Sequence, residues 1–381
     1  MRDSLKDIVD AYDPQAPLAE ASTIPSSWYT DQRIFDVEKQ TVFARSWQIA
    51  ARIDQLCEPG SYVTTEIAGE PIVIVRGNDS VVRGFFNVCR HHAAAVMTEA
   101  EGQANQMRCP YHGWTYSLEG ELKGTPDFTG VCNFDRARNG LASVQIATWE
   151  NWLFARLGSE QQRSLADPNA SLAEFLGTEL VSQIQALGLT GLHWMERRRY
   201  VLNCNWKVFV NNYLDGGYHV PHLHKGLDSV LDYSSYTIEN GAHFSLQSSP
   251  MVSGADHIQA VRGGKRALYY WLYPNFMINW YEGVLDTNLV RPLAIDRTEV
   301  VFDFYFADAS EAAQERNLAS IEVGERIQRE DLDICESVQR GLRSRAYNAG
   351  RLSVRREAGE HLFHRLLYAD LRAGVESANY P

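Results

Sequence analysis

The sequence predicts an α+β protein built from a small β-rich domain followed by a larger domain that mixes helices with long strands. Three observations predict it. PIVIVRGNDSVVRGFFNV (71–88) alternates and pauses at Gly77-Asn78-Asp79-Ser80, which is hairpin chemistry. ALYYWLYPNFMINWY (267–281) and TEVVFDFYFAD (298–308) are rich in aromatic and β-branched residues, as strands are. Residues from about 310 to 345 carry the periodicity of one long helix.

In chain order, residues 1–35 are polar and proline-bearing, and DVEKQTVFARSW (36–47) has apolar spacing suited to a short helix. The hairpin at 71–88 delivers the chain into Cys89. A second hairpin, WTYS and ELKG around Leu118-Glu119-Gly120, begins just after His112. A β-domain is therefore expected over 45–155, with an N-terminal segment (1–44) packed on the second domain (156–381). A polar stretch near 158 to 171 separates the two domains. YVLNCNWKVFV (200–210) leads into a helix interrupted at Gly216, Gly217 and Pro221.

Composition narrows the class. With 381 residues, 45% hydrophobic, 22% charged and a net charge of -12, the chain reads as globular, and the acidity argues against nucleic acid or anionic membrane as partners. No run approaches the roughly 18 apolar residues a membrane span needs. Six scattered cysteines and an N-terminus without a secretory apolar core imply reduced thiols and a cytoplasmic setting. Neither GxGxxG nor a P-loop is present, so no nucleotide site is expected.

Two constellations carry chemistry. Cys89-x-His91 and Cys109-x-x-His112 are mixed sulfur–nitrogen pincers. A zinc knot, unconnected core residues and an iron–sulfur cluster are all conceivable, but mixed pincers suit a two-iron cluster in which one iron takes both thiolates and the other both imidazoles. His92 stands outside that pattern and reads as an ordinary loop histidine. The second constellation lies in NWKVFVNNYLDGGYHVPHLHKG (205–226). In a continuous helix His219 and His224 would point about 140° apart, so both can meet one metal only if the helix breaks, and His222 competes on spacing alone. In EVGERIQREDLDICESVQRGL (322–342), Ile327, Asp331, Ile334 and Val338 fall on one stripe, which turns Asp331 toward the core. Two histidines and a carboxylate make the facial triad of non-haem iron, unless Asp331 merely pairs with Arg326 or Arg329.

These constellations, in this order, resemble the α subunits of Rieske non-haem iron oxygenases. NWKVFVNNYLDGGYHVPHLHKGL, YPNFMIN, DTNLV and CESVQRGL are similar to choline monooxygenase-type members of that family. The resemblance implies a β-rich Rieske domain and a catalytic domain of antiparallel sheet with covering helices. It implies a [2Fe-2S] cluster on Cys89, His91, Cys109 and His112, and a mononuclear non-haem Fe(II) on His219, His224 and Asp331. It further implies an NAD(P)H-dependent reductase as partner, dioxygen as co-substrate, and homotrimers in which one subunit's cluster feeds its neighbour's iron. The family pattern is Asp-x2-His-x4-His; Asp215 stands four residues before His219 rather than three and is carried over as the acid linking the two centres.

The expected activity is hydroxylation of a small quaternary ammonium compound of choline, betaine or carnitine type. The alternatives are an aromatic-ring or aromatic-acid hydroxylase and a non-catalytic Rieske electron-transfer protein. Tyr269, Trp271 and Tyr273 share one strand face, followed by Phe276, Trp280 and Tyr281. Aromatic faces bind quaternary ammonium, so Tyr273 and Trp280 are expected in the pocket, with Asp286 and Glu282 supplying negative charge. An aromatic acid would instead need an arginine such as Arg291.

Overall fold

The computed structural model describes residues 3–157, 171–224, 231–252 and 261–377; the polar stretch expected near 158 to 171 lies, apart from Ser171, outside them. The chain divides into two compact units, one of residues 43–175 and the other of residues 1–42 with 176–381.

In the first unit, strands β1 (Gln48–Arg52), β2 (Ser61–Ile67), β3 (Glu70–Arg76), β4 (Val82–Phe86), β5 (Glu101–Gln103), β9 (Ser143–Trp149) and β10 (Trp152–Arg156) form one sheet in the order β1-β10-β9-β4-β3-β2-β5. Strands β6 (Met107–Arg108), β7 (Thr115–Tyr116) and β8 (Leu122–Gly124) form a second, three-stranded sheet. The run Ile72-Val73-Ile74-Val75 is buried on both faces because β3 is central, and its alternate side chains enter two different cores. Ile72 and Ile74 join Leu56, Val63 and Leu153. Val73 and Val75 join Phe85, Trp114, Tyr116 and the two cysteines Cys89 and Cys109. The second core thus ties the sheet to the loops that carry Cys89 and Cys109.

The second unit is an antiparallel sheet of seven strands, ordered β11 (His193–Leu202), β17 (Arg297–Phe306), β16 (Val284–Ala294), β15 (Phe276–Tyr281), β14 (Arg266–Leu272), β13 (Phe244–Pro250) and β12 (Thr237–Asn240). Its helices include α5 (Trp206–Leu214), α6 (Val220–Leu223), α7 (Gln314–Leu342) and α8 (Ala358–Ser377), numbered after α1 (Leu5–Asp10), α2 (Ser27–Thr30), α3 (Gln32–Glu38) and α4 (Leu172–Gln185). Asn205 starts α5 by accepting a hydrogen bond from the Lys207 backbone N–H at 3.1 Å. Helix α5 packs against β16, α7 and α8. The N-terminal helices belong to this unit: α1 and α3 pack on α8, and α2 on α7. A fully buried ion pair of 2.5 Å between Lys207 and Glu38 joins α5 to α3, with the Trp206 indole donating to the same carboxylate at 2.8 Å. Without one another these charges would be costly to bury.

The apolar stripe expected on α7 is rotated. Ile334 and Val338 are exposed, whereas Gly324, Gln328, Asp331, Cys335, Gln339 and Leu342 are buried. Buried glutamines replaced the hydrophobic residues that periodicity seeks, and Gln339 earns its burial by accepting from the Asn205 backbone N–H at 2.7 Å.

Candidate metal centres and the adjoining cavity

The two pincers of the first unit are built alike. In each, the cysteine N–H donates to the carbonyl five residues on (Ala94 and Trp114, both 2.8 Å), and the N–H four residues on (Ala93 and Gly113) donates back to the cysteine carbonyl at 3.0 Å. Ala93 and Gly113 both lie at positive φ (58° and 72°), which closes each loop tightly. Both cysteines are buried, and the Tyr116 hydroxyl stands 3.4 Å from Cys89 Sγ while accepting from the Arg90 N–H at 2.9 Å. His91 stacks on Trp114 with ring centroids 4.7 Å apart and lies 4.6 Å from His112. Its Nδ1 is buried without a hydrogen-bond partner. Two buried thiols and an orphaned imidazole nitrogen fit a [2Fe-2S] cluster held by Cys89, Cys109, His91 and His112. The adjacent His92 is exposed, its ring centroid 4.1 Å from that of His91 and the two rings tilted by 51°.

In the second unit the expected helix break is present. Helix α5 ends at Asp215, and Gly216 and Gly217 follow at φ 66° and 68°. A side chain at Gly216 would place its Cβ 2.0 Å from the Arg356 carbonyl oxygen, so no other residue fits there. Pro221 sits in the first turn of α6, where a proline costs nothing; the glycines make the break and the proline only starts the next turn.

His219 and His224 stand at the two ends of the one-turn helix α6, which stops at a non-helical His224, and their ring centroids lie 4.8 Å apart. Asp331 arrives from α7, and one ligand atom from each of the three residues lies within 4.8 Å of the others. Asp331 Oδ1 is 3.1 Å from His224 Nε2, 3.8 Å from His219 Nε2, and accepts from the Asn212 amide at 2.9 Å. Its bonds therefore run to this cluster, and Arg329 pairs instead with Glu325 at 3.0 Å. His222 is exposed and outside the group.

Each histidine has a carboxylate on its other nitrogen. His219 Nδ1 meets Asp215 at 2.5 Å, and His224 Nδ1 meets Glu330 at 2.6 Å. Asp215 also accepts from the backbone N–H groups of Tyr218 and His219, at 3.1 and 3.0 Å. Burial works to lower the pKa of His224, but the Asp331 and Glu330 carboxylates outweigh it and hold it above the ordinary value. Such carboxylate–histidine pairs fix the ring so that Nε2 faces a metal, and the set fits one non-haem iron.

Beside the triad lies a cavity lined by it and by Tyr213, Tyr236, Tyr269, Tyr281 and Phe302, with Arg262, Asp286, Asn288 and Gln328. Of the four residues expected in the pocket, Asp286 lines this cavity and Glu282 does not; the Asp286 carboxylate pairs with Arg262 at 3.1 Å and accepts from Asn279 at 2.7 Å. Tyr273 and Trp280 do not line it. Tyr273 lies beyond the end of β14 and donates to Asp370 of α8 at 2.6 Å. Trp280 alternates with Asn279 and Tyr281, which take the cavity face of β15. Arg291 pairs with Glu299 at 3.1 Å, and the arginine in the cavity is Arg262. Arg262 follows no legible motif. Glu330 did leave a signal, as the acid immediately preceding Asp331.

Residues 46–135 match the Rieske [2Fe-2S] domain, and residues 189–371 match the ring hydroxylating alpha subunit (catalytic domain). The chain is 39% identical to the chloroplastic choline monooxygenase of Arabidopsis thaliana, over 96% of this chain and 86% of that one. The chain belongs to the Rieske oxygenase α-subunit family. It is 33% identical to the carnitine monooxygenase oxygenase subunit of Escherichia coli (strain K12), covering 91% of this chain and 93% of that one. The crystal structure of a quaternary ammonium Rieske monooxygenase in complex with L-carnitine superposes with a TM-score of 0.78 at 28% identity, covering 97% and 99% of the two chains. This oxygenase therefore uses a Rieske [2Fe-2S] cluster and a mononuclear non-haem iron, and takes electrons from a separate reductase. A bare electron-transfer protein would have no use for the second domain. Among the described residues, no helix is long and apolar enough to cross a membrane.

Proposed function

We propose that this oxygenase hydroxylates a small quaternary ammonium compound at a C–H bond beside its nitrogen or oxygen. One observation carries the reading: tyrosine rings, Phe302 and a buried aspartate line the same cavity as the His219, His224 and Asp331 set. A quaternary ammonium cannot donate a hydrogen bond, so aromatic faces and negative charge must recognise it. The choline- and carnitine-oxidising relatives support the same substrate class.

Cys89, His91, Cys109 and His112 hold the cluster, and His219, His224 and Asp331 hold the iron. When bound, the iron would supply dioxygen activation: with two electrons from the reductase by way of the cluster and two protons from solvent, one oxygen atom would enter the substrate and the other would leave as water. Asp215 and Glu330 orient the two imidazoles, and the Asn212 amide holds the Asp331 carboxylate in place. Hydroxylation beside oxygen yields an aldehyde hydrate. Hydroxylation beside nitrogen yields a hydroxymethyl ammonium, which breaks its C–N bond to release formaldehyde and a proton.

The subunits form a homotrimer in which Asp215 conducts electrons from a neighbour's cluster toward His219. A related quaternary ammonium Rieske monooxygenase with inter-subunit electron transfer supports this arrangement. The test of the activity is a substrate panel with a competent reductase. Choline-, betaine- or carnitine-type compounds are expected to couple NADH consumption to formaldehyde or aldehyde. Coupling by arenes or aromatic acids alone would overturn the reading.

A further inference from the structure

The cavity beside the iron set holds polar groups that an ammonium group does not use. Arg262, Asn288 and Gln328 line it and are 3%, 2% and 2% exposed. Each keeps one buried N–H group without an acceptor: Arg262 Nε, Asn288 Nδ2 and Gln328 Nε2. Fewer acceptors are left open. Asn288 Oδ1 and Asp286 Oδ1 both take the Asn279 amide, at 2.8 and 2.7 Å, and Asp286 Oδ2 stands 3.1 Å from the Arg262 guanidinium as an ion pair without a hydrogen bond. Arg262 also donates to the Ser320 carbonyl at 3.1 Å and lies 5.1 Å from the Tyr281 ring centroid. The polar part of the lining is thus a surplus of donors around a buried cation.

We infer that the cavity contains a carboxylate subsite formed by Arg262, Asn288 and Gln328, and that the substrate is a zwitterion carrying both a quaternary ammonium and a carboxylate. The inference rests on the ammonium reading above and narrows it. A carboxylate only accepts, through two oxygens and several lone pairs, and so can satisfy several donors of one cavity. A single hydroxyl, as in choline, accepts through one atom and brings a donor of its own. The charges agree. Asp286 neutralises Arg262, so the ammonium group is not repelled, while the guanidinium Nε remains for the substrate anion. The tyrosine faces and Asp331 attract the ammonium end.

Gly324 makes room for this arginine. A methyl group there would place Cβ 2.8 Å from Arg262 Nη2 and 3.2 Å from the Phe304 ring. Gly324 lies one turn before Gln328 on α7, so helix and guanidinium meet at the subsite.

The test uses the reconstituted holoenzyme and measures binding by calorimetry, with coupled turnover alongside, for choline, glycine betaine, carnitine, γ-butyrobetaine and benzoate. The wild-type protein should bind at least one zwitterion about tenfold or more tightly than choline. Arg262→Gln, Asn288→Ala and Gln328→Ala should each lower that zwitterion-to-choline ratio severalfold, with the loss in KM more than in kcat. Gly324→Ala, which retains both Arg262 and Asp286 but crowds the guanidinium at Nη2, should lower it as well and covers the case in which Arg262→Gln fails to fold. Choline bound as tightly as every zwitterion would overturn the carboxylate subsite and leave the ammonium oxygenase standing. Benzoate as the only ligand would overturn both.

Discussion

Glu330 Oε2 and His224 Nδ1 lie 2.6 Å apart, and the residue after Glu330, Asp331, meets the other nitrogen of the same ring at 3.1 Å. Two consecutive residues of one helix therefore grip one imidazole from both ends. Outer carboxylates of this kind typically contribute about 10- to 100-fold to metal affinity or activity. Glu330→Gln is expected to lose mononuclear iron to a chelator roughly tenfold faster than wild type, with the cluster spectrum unchanged. Equal iron retention in the two proteins would show that Glu330 does not position the ring.

Asp331→Ala should leave the red-brown cluster spectrum intact and abolish turnover, because the deleted carboxylate belongs to the second unit alone. His224→Ala should lose the mononuclear iron, whereas His222→Ala should keep it, since His222 is exposed and stands outside the triad. Metal analysis against inorganic sulfide distinguishes these outcomes.

Asp215→Asn should retain both metals yet slow oxidation of the cluster when the reduced, substrate-bound protein meets oxygen. Stopped-flow absorbance follows the step. A normal rate would confine Asp215 to orienting His219 and capping the turn that follows α5.

Tyr281→Leu keeps apolar bulk but removes a π face from the cavity, so KM for an ammonium substrate should rise by a factor corresponding to about 0.5 to 2 kcal/mol. Trp280→Leu should change KM little, because that side chain does not line the cavity. The reverse order of effects would place the ammonium group on the other face of β15.

Burial raises the Glu360 carboxyl well above its ordinary value of 4.5, and the neighbouring Glu357 and Asp215 charges add to the effect. A folded pKa above the unfolded one means that the native state holds the extra proton. The stability it contributes is present below about pH 4.5 and is lost as pH rises toward the folded value. Glu360→Gln cannot ionise, so its thermal stability relative to wild type should increase as pH is raised from 4.5 through neutrality. Melting curves across that range, showing a constant difference, would contradict the assignment.

The parts of this protein legible in its sequence are those encoded by neighbours along the chain. The hairpins that present Cys89 and Cys109, the spacing of both pincers, and the glycine break before His219 are local, because turn chemistry acts over a few residues. Helical periodicity points to Asp331, although the buried face of α7 is rotated from the stripe it draws: Ile334 and Val338 are exposed, and Gln328, Cys335 and Gln339 are buried instead. Periodicity weighs hydrophobicity, and α7 buries glutamine amides, one of which accepts from the distant Asn205 backbone N–H. Glu330 on His224, Arg262 on Asp286, and the choice of Tyr281 over Trp280 were decided only by tertiary structure. Each depends on strand register or helix azimuth, where a shift of one residue moves a side chain to the opposite face, and no pattern along the chain records which distant face it will meet.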